Sequence, residues 1–383
     1  MDGLPSQTSL KKEPHQDLQS WIPVYRPNLS GNERRYVLEC LDSTWISSKG
    51  HFIDDFEQAF ARQLGHDTQA AAVCNGTVAL HLALHVLGIG PGDEVIVPTF
   101  TYIASVNTIA QTGATPVFAE CHPETWLIDP ADVKKRITPK TKAILPVHLY
   151  GNACDMKELA AIAKSQNLLI IEDCAESFGT TLDGQPTGTF GTIGTFSFFG
   201  NKTITTGEGG MLVASNPALM DNIRITKGQG MSPERRYWHD RLGFNYRMTN
   251  IQAAIGLAQL ERLNGILARK RQIGAMYRKK LQHLPVTFQQ AQEGVESSEW
   301  LFSLLIAEAE KRDPVMDFMA QRHIETRPVF HCAHLMPMYR QNEGTFPIAE
   351  NIANRGISLP SYPDLTESDI DRVCEALEDS LHS

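Results

Sequence analysis

The sequence has no pair of cysteines spaced CxxC. Its seven cysteines, at Cys40, Cys74, Cys121, Cys154, Cys174, Cys332 and Cys374, are odd in number and scattered. That argues against a zinc ribbon or a disulfide framework and predicts reduced thiols in a cytoplasmic protein. No apolar run approaches membrane-spanning length and the N-terminus has no signal-peptide core, so no membrane partner is expected. Positive charge is short as well. Lys+Arg number 35 against 44 Asp+Glu, a net charge of −9. A general nucleic-acid binder would carry a basic patch to meet phosphates, and that class is set aside. An anionic small ligand must then be met by a few local cations. A dinucleotide fingerprint is missing too. Gly88-Ile-Gly-Pro-Gly92 supplies glycines but follows a helix and precedes a strand, the reverse of what pyrophosphate binding needs.

What is present reads as an ordinary soluble enzyme. Of the 383 residues, 42% are hydrophobic and 21% charged, enough for two units sharing a large core. Residues 1–20 are polar, with Pro5 and Pro14, and are expected to form a disordered extension rather than an adaptor for a partner. From Trp21 onward, amphipathic helices alternate with short apolar strands. Helices are predicted over Asn32–Leu41, Ile53–Leu64, Val78–Leu87 and Asp155–Ser165. Strands are predicted over Ala70–Cys74, Gly92–Pro98, Ala114–Phe118, Ala143–Leu149, Leu168–Ile171 and Met211–Ala214. This is the pattern of an α/β fold, a large, mostly parallel sheet covered on both faces. Asn250 is a candidate N-cap for a helix from Ile251 to Leu263. Beyond about Arg262 the composition turns basic and helical, and Trp300–Ile306 reads as a strand. Asp313 and Pro314 look like the N-cap and N1 of a further helix. A large unit over 21–262 and a smaller C-terminal α/β unit over 263–383 are therefore expected.

The chemistry centres on one lysine. Lys202 follows the apolar run Phe196–Phe199 and precedes Gly207, Gly209 and Gly210, with Glu208 the one nearby carboxylate in sequence. Groups of this kind solvate an ammonium poorly, which favours an amine able to attack a carbonyl. About thirty residues earlier, Leu168-Leu-Ile-Ile-Glu-Asp-Cys-Ala-Glu-Ser177 reads as a buried strand ending on carboxylates. Asp173 falls at its C-terminal end, where open α/β sheets bind ligands. An aspartate there followed by a loop lysine matches the pyridoxal phosphate (PLP) arrangement: the lysine condenses with the cofactor aldehyde and the carboxylate keeps the pyridine nitrogen protonated. Strand, Asn75-Gly-Thr77 and helix form a ready anion site, with free N–H groups and the helix dipole facing a phosphate. Gly76 allows close backbone approach and Thr77 adds a hydroxyl. An aromatic at the end of the Gly92–Pro98 strand could stack on a cofactor ring, while Phe100 belongs to the core.

These blocks, Ile171-Glu-Asp-Cys-Ala-Glu-Ser177 and Gly194-Thr-Phe-Ser-Phe-Phe-Gly-Asn-Lys-Thr-Ile-Thr-Thr-Gly-Glu-Gly-Gly210, resemble the nucleotide-sugar aminotransferases of the DegT/DnrJ type, from about Ile22 to near the C-terminus. The resemblance implies the PLP-dependent transferase fold type I (aspartate aminotransferase-like) and a homodimer with active sites at the subunit interface. It implies L-glutamate as amino donor, 2-oxoglutarate as its product, and a nucleotide-linked 4-keto-6-deoxysugar as acceptor, GDP-linked first and dTDP- or UDP-linked otherwise. Lys202 is then the catalytic residue. Gly76, Thr77 and Ser197 hold the cofactor phosphate, joined across the dimer by Asn245. Tyr102 is the ring-stacking aromatic and Asp173 meets the ring nitrogen. Glu176 stands near the cofactor hydroxyl, where many relatives carry glutamine or histidine. Arg327, in Glu325-Thr-Arg-Pro-Val-Phe330, is the candidate cation for the substrate phosphates. The loop Ser43–Gly50 is either a plain helix connector or a border of the site.

Two rival classes stand beside this reading. A sugar dehydratase of the same fold replaces the lysine by histidine, which Lys202 argues against. A non-catalytic sensor on the same scaffold would not need Lys202, Asp173 and Ser197 together. His331 and His334, spaced i, i+3, could be metal ligands, but no full ligand set surrounds them and no metal is expected.

Overall fold

Leu169–Asp173 is covered on both faces: Ile170, Ile171, Glu172 and Asp173 are all buried, as its apolar run requires. It lies at the centre of a seven-stranded sheet in the computed structural model, which describes residues 21–65, 67–340 and 344–382. The extension expected over 1–20 lies outside the described residues. The strand order is Gln69–Val73, Gly210–Ala214, Ile193–Ser197, Leu169–Asp173, Thr141–Ile144, Glu94–Pro98, Thr115–Ala119. Gly210–Ala214 runs antiparallel to both neighbours, and the other pairings are parallel. Parallel strands need crossovers, and the helices Gly76–Val86, Ala104–Gln111, Pro130–Arg136 and Met156–Gln166 supply them.

Two hydrophobic clusters sandwich this sheet. One includes Val73, Leu82, Ile96, Ile144 and Ile171. The other is aromatic, with Phe56, Phe60, Phe178, Phe196 and Phe198. Phe60 stacks on Phe178 at 4.6 Å and meets Phe196 edge-on at 5.0 Å, which fixes the strand that precedes Lys202. A second sheet, four-stranded and antiparallel, follows in the C-terminal third: Val286–Phe288, Phe302–Ile306, Gly356–Leu359, Arg327–Pro328. Its own core gathers Tyr277, Phe302, Leu304, Met319, Ile357 and Leu377. Ile22 packs in this third core while Val24 packs in the first, so the segment after Trp21 ties the two sheets together.

Three local expectations are corrected. Thr249, not Asn250, caps the helix Asn250–Leu260, through a reciprocal capping box with Gln252. Asn250 turns inward instead: it accepts from Phe52 N at 3.1 Å and donates to the Trp45 carbonyl at 2.8 Å, stapling the Ser43–Gly50 loop. The helix expected to start at Asp313 begins at Arg312, with Lys311 as its N-cap and Asp313 in its first turn. The strand expected to reach Leu149 ends at Ile144, because Leu149–Gly151 closes into a short 3-10 turn with Tyr150 at φ 58°.

Candidate active site

The carboxyl ends of the parallel strands open onto a cleft of about 670 Å³, lined among others by Gly76, Thr77, Tyr102, Asp173, Glu176 and Ser197. Lys202 and Arg327 face the same cleft. Eight of the nine residues singled out from sequence therefore converge, although they span some 250 positions of chain. Asn245 is the exception. Its Oδ1 accepts from Arg247 Nε and Nη2 at 3.1 and 2.9 Å, and it does not line the cleft of its own chain.

Asp173 sits on the floor, 4% exposed. Oδ2 accepts from Ser105 Oγ at 2.7 Å and Oδ1 from Ala175 N at 3.0 Å. A buried carboxylate with only neutral donors is one into which a cationic ligand group fits well. Nothing in the sequence marks Ser105 as this donor.

Beside the floor is the anion cradle. Asn75 caps Gly76–Val86, its side chain accepting from Val78 N at 3.0 Å. The N–H groups of Gly76 and Thr77 are thereby in the first turn, where a helix lacks internal acceptors. A Cβ on Gly76 would lie 2.7 Å from Ser197 Cβ and 3.0 Å from Ser197 Oγ. Only glycine lets the turn come this close to the serine, so backbone donors and hydroxyl share one concavity. Tyr102 stands at the rim, exposed, with its ring 5.7 Å from that of Phe330.

Lys202 is held from three directions. Its carbonyl accepts from the Tyr25 hydroxyl at 2.6 Å. Its Nζ lies 3.5 Å from Glu176 Oε1 and 4.1 Å from the centre of the Trp300 ring. The carboxylate nearest this amine is thus Glu176, brought in by folding, rather than the sequence neighbour Glu208. Glu176 is 3% exposed and its Oε2 accepts from Tyr150 N at 3.1 Å. Burial pushes its carboxyl up to about 7, against the downward pull of Lys202. Trp300, expected to open a strand, lies just ahead of the observed strand Phe302–Ile306; its indole N–H donates to the Asn201 carbonyl at 2.7 Å. Neither Trp300 nor Tyr25 carries a local signal of this role, since both reach the lysine from distant chain.

Arg327 lies at the mouth, half exposed, with Nη2 3.0 Å from Glu325 Oε1. Glu325 in turn accepts from Val24 N at 2.9 Å. The guanidinium therefore serves an ion pair and lines the cleft at once. His334 is buried and His331 exposed: His334 Nδ1 meets Thr99 Oγ1 at 2.6 Å and Nε2 meets Glu350 Oε1 at 3.2 Å. A buried trio, His148, Glu172 and Cys174, lies behind the floor. Its groups are already engaged, for Glu172 accepts from Gly188, Phe190 and Gly191 N–H at 2.8, 2.7 and 2.6 Å as well as facing His148 Nε2 at 3.1 Å. This pins the loop that leads into Ile193–Ser197.

The fit to PLP rests on the donor set. A neutral-donor-bound carboxylate, a glycine-lined helix N-terminus with a serine hydroxyl, and a poorly solvated lysine match the three poles of that molecule. Comparison with known proteins agrees. The chain is 53% identical to the GDP-perosamine synthase of Escherichia coli O157:H7, over 94% of its own length and 98% of that protein's. It is 50% identical to the GDP-perosamine synthase of Caulobacter vibrioides, over 94% and 98%. Among solved structures, the aminotransferase TlmJ from Streptoalloteichus hindustanus superposes with a TM-score of 0.90 at 30% identity, over 94% of this chain and 99% of that one. Residues 27–378, which hold every candidate above, match the DegT/DnrJ/EryC1/StrS aminotransferase family, and the chain belongs to it.

Proposed function

We propose that this protein is a PLP-dependent nucleotide-sugar aminotransferase that moves an amino group from L-glutamate to C4 of GDP-4-keto-6-deoxy-D-mannose, giving GDP-perosamine. One observation carries the reading: a cleft assembled around Lys202 and Asp173 in a chain 53% identical, nearly end to end, to a GDP-perosamine synthase. PLP held there supplies an electron sink and carries the amino group between donor and acceptor. Asp173 keeps the ring nitrogen protonated. Gly76, Thr77 and Ser197 bind the phosphate, Tyr102 covers the ring, and Glu176 lies at its hydroxyl side. Lys202 holds the cofactor at rest. Once released, its Nζ takes the proton from the donor's α-carbon and returns it on the other side of the exchange. Arg327 meets the acceptor's phosphates, which a chain of net charge −9 must neutralise locally.

The remaining assignments belong to the same proposal. The protein acts as a homodimer in the cytoplasm, with Asn245 reaching the partner's cofactor phosphate; its position outside its own cleft supports that geometry. Exposed Trp45, Ile46, Trp238 and Leu242 supply apolar surface for such an interface. No described helix is long and apolar enough to cross a membrane. The two units divide at the turn between the helices ending at Leu260 and beginning at Leu263.

The test is a panel of GDP-, dTDP- and UDP-linked 4-keto-6-deoxysugars with glutamate, read by mass spectrometry. The purified protein should be yellow, bleach with glutamate alone, and give the aminated GDP-sugar with the highest kcat/KM. Lys202→Ala should lose multiple turnover. A preference for a dTDP- or UDP-sugar would replace the acceptor and leave the aminotransferase; failure to bleach would remove both.

A further inference from the structure

The Lys202 amine is not loose in the cleft. It rests between a carboxylate and an indole face, and the carboxylate has an anchor built at a backbone cost. Tyr150 adopts φ 58° and ψ 22°, a left-handed conformation that bulky residues rarely hold. That conformation aims its N–H at Glu176 Oε2, 3.1 Å away. The Tyr150 ring stacks with Trp300, at 6.1 Å and 21°, and with Phe330, at 5.6 Å and 19°. Its hydroxyl accepts from Phe330 N at 3.3 Å. One strained residue therefore orients both groups that touch the amine: the carboxylate through its N–H, the indole through its ring.

Resting on the aminotransferase reading above, we propose that Glu176 is a catalytic residue that exchanges a proton with the Lys202 amine whenever that amine is free, with Trp300 and Tyr150 as positioning residues. The step balances without any co-reactant. Lys202 Nζ in its ammonium form gives one proton to Glu176 Oε1, leaving a neutral amine with its lone pair and a neutral carboxylic acid; the reverse step restores the ion pair. The amine so produced is the form that attacks a carbonyl or removes the α-proton. Trp300 opposes this by stabilising the ammonium through its ring face, whereas burial, which raises the Glu176 carboxyl, favours it. Burial supports the exchange by placing the Glu176 carboxyl near about 7, where a proton acceptor works best at neutral pH. The groups acting on it are Lys202, Asp173 and Tyr150. Lys202 favours the anion and Asp173 opposes it. The Tyr150 phenol, itself raised by burial, stays neutral.

Glu176→Gln keeps the shape and an acceptor for Tyr150 N while removing the charge. The informative measurement uses PLP-free protein and an amine-acylating reagent, with modification of the Lys202 peptide followed by mass spectrometry against pH. If the amine exchanges its proton with Glu176, the wild-type labelling curve should carry an inflection near neutrality that the variant, with no carboxyl there, lacks. In the holoenzyme, the acid limb of the kcat profile near neutrality should flatten in Glu176→Gln and return in Glu176→Asp. Trp300→Leu should raise labelling a few-fold by removing the ring that favours the ammonium. Superimposable wild-type and Glu176→Gln labelling curves would overturn the proposal. Borohydride reduction separates the layers: PLP fixed on Lys202 with unchanged curves sinks the Glu176 role alone, whereas PLP fixed elsewhere sinks the site assignment.

Discussion

Lys270 offers a quantitative test of how the two sheets are joined. It lies on the helix Leu263–Leu281, 1% exposed, with Nζ donating to the Ser361 carbonyl at 2.8 Å and lying 5.2 Å from the centre of the Tyr25 ring. Burial lowers its ammonium from 10.5 to about 7, with only Glu299 pulling upward. Between those values the unfolded chain holds a proton that the folded chain does not. Stability therefore rises with pH across that window and is lost as pH falls toward 7, below which both states are charged and the burial penalty is constant. At about 1.4 kcal/mol per pH unit, the full penalty is roughly 5 kcal/mol. Lys270→Met keeps the apolar stem and removes the charge. It also leaves the Ser361 carbonyl without this donor, at a cost of roughly 1–3 kcal/mol.

The net expectation for Lys270→Met is a gain of roughly 2–4 kcal/mol near neutral pH that shrinks to nothing, or reverses, near pH 10. Thermal midpoints of the full-length protein and the variant, measured side by side from about pH 6 to about pH 10, provide the assay; midpoints suit a chain with several sheets better than a single unfolding free energy. A difference independent of pH, or a variant less stable than wild type at neutral pH, would refute the claim that this amine is neutral in the fold near pH 8.

Three further outcomes test the site itself. Asp173→Asn should retain bound PLP but lower kcat about 10²-fold, because its amide cannot stabilise a protonated ring nitrogen; an unchanged kcat with a raised glutamate KM would move Asp173 to donor binding. Gly76→Ala should weaken PLP binding tenfold or more in an absorbance titration, since the new methyl would sit 2.7 Å from Ser197 Cβ, and unchanged affinity would place the phosphate elsewhere. Arg327→Ala should raise the KM for the sugar nucleotide about ten- to a hundredfold and leave the glutamate half-reaction intact. A slow half-reaction would instead assign Arg327 to the donor or to the fold through Glu325.

Contiguous features were legible in the sequence, and features made by packing were not. The buried strand ending at Asp173, the Asn75-Gly-Thr77 turn and the lysine loop each occupy a few adjacent residues whose periodicity or composition states their role. The Thr249 cap was missed because two good capping residues stand side by side. What decides between them is Gln252 three positions on, and the burial of Asn250 against the Trp45 loop. Ser105, Trp300 and Tyr25 were invisible for a stronger reason. Their partners lie 68, 98 and 177 positions away in sequence, and only the sheet order brings them together.

That same distance explains how a lysine can be fixed and mobile at once. Its backbone is tied by Tyr25, from the segment after Trp21, while its amine is met by Glu176, just beyond the strand Leu169–Asp173, and by Trp300, just ahead of Phe302–Ile306. The backbone contact involves no atom that must move, so it can be short and strong, at 2.6 Å. The amine contacts are longer, at 3.5 and 4.1 Å, which suits the proposed release and return of the amine in each cycle. Trp300 lies just ahead of the strand Phe302–Ile306 and packs in the first core, whereas Arg327 belongs to the four-stranded sheet, so the lysine and the cleft mouth are lined from different layers of the fold.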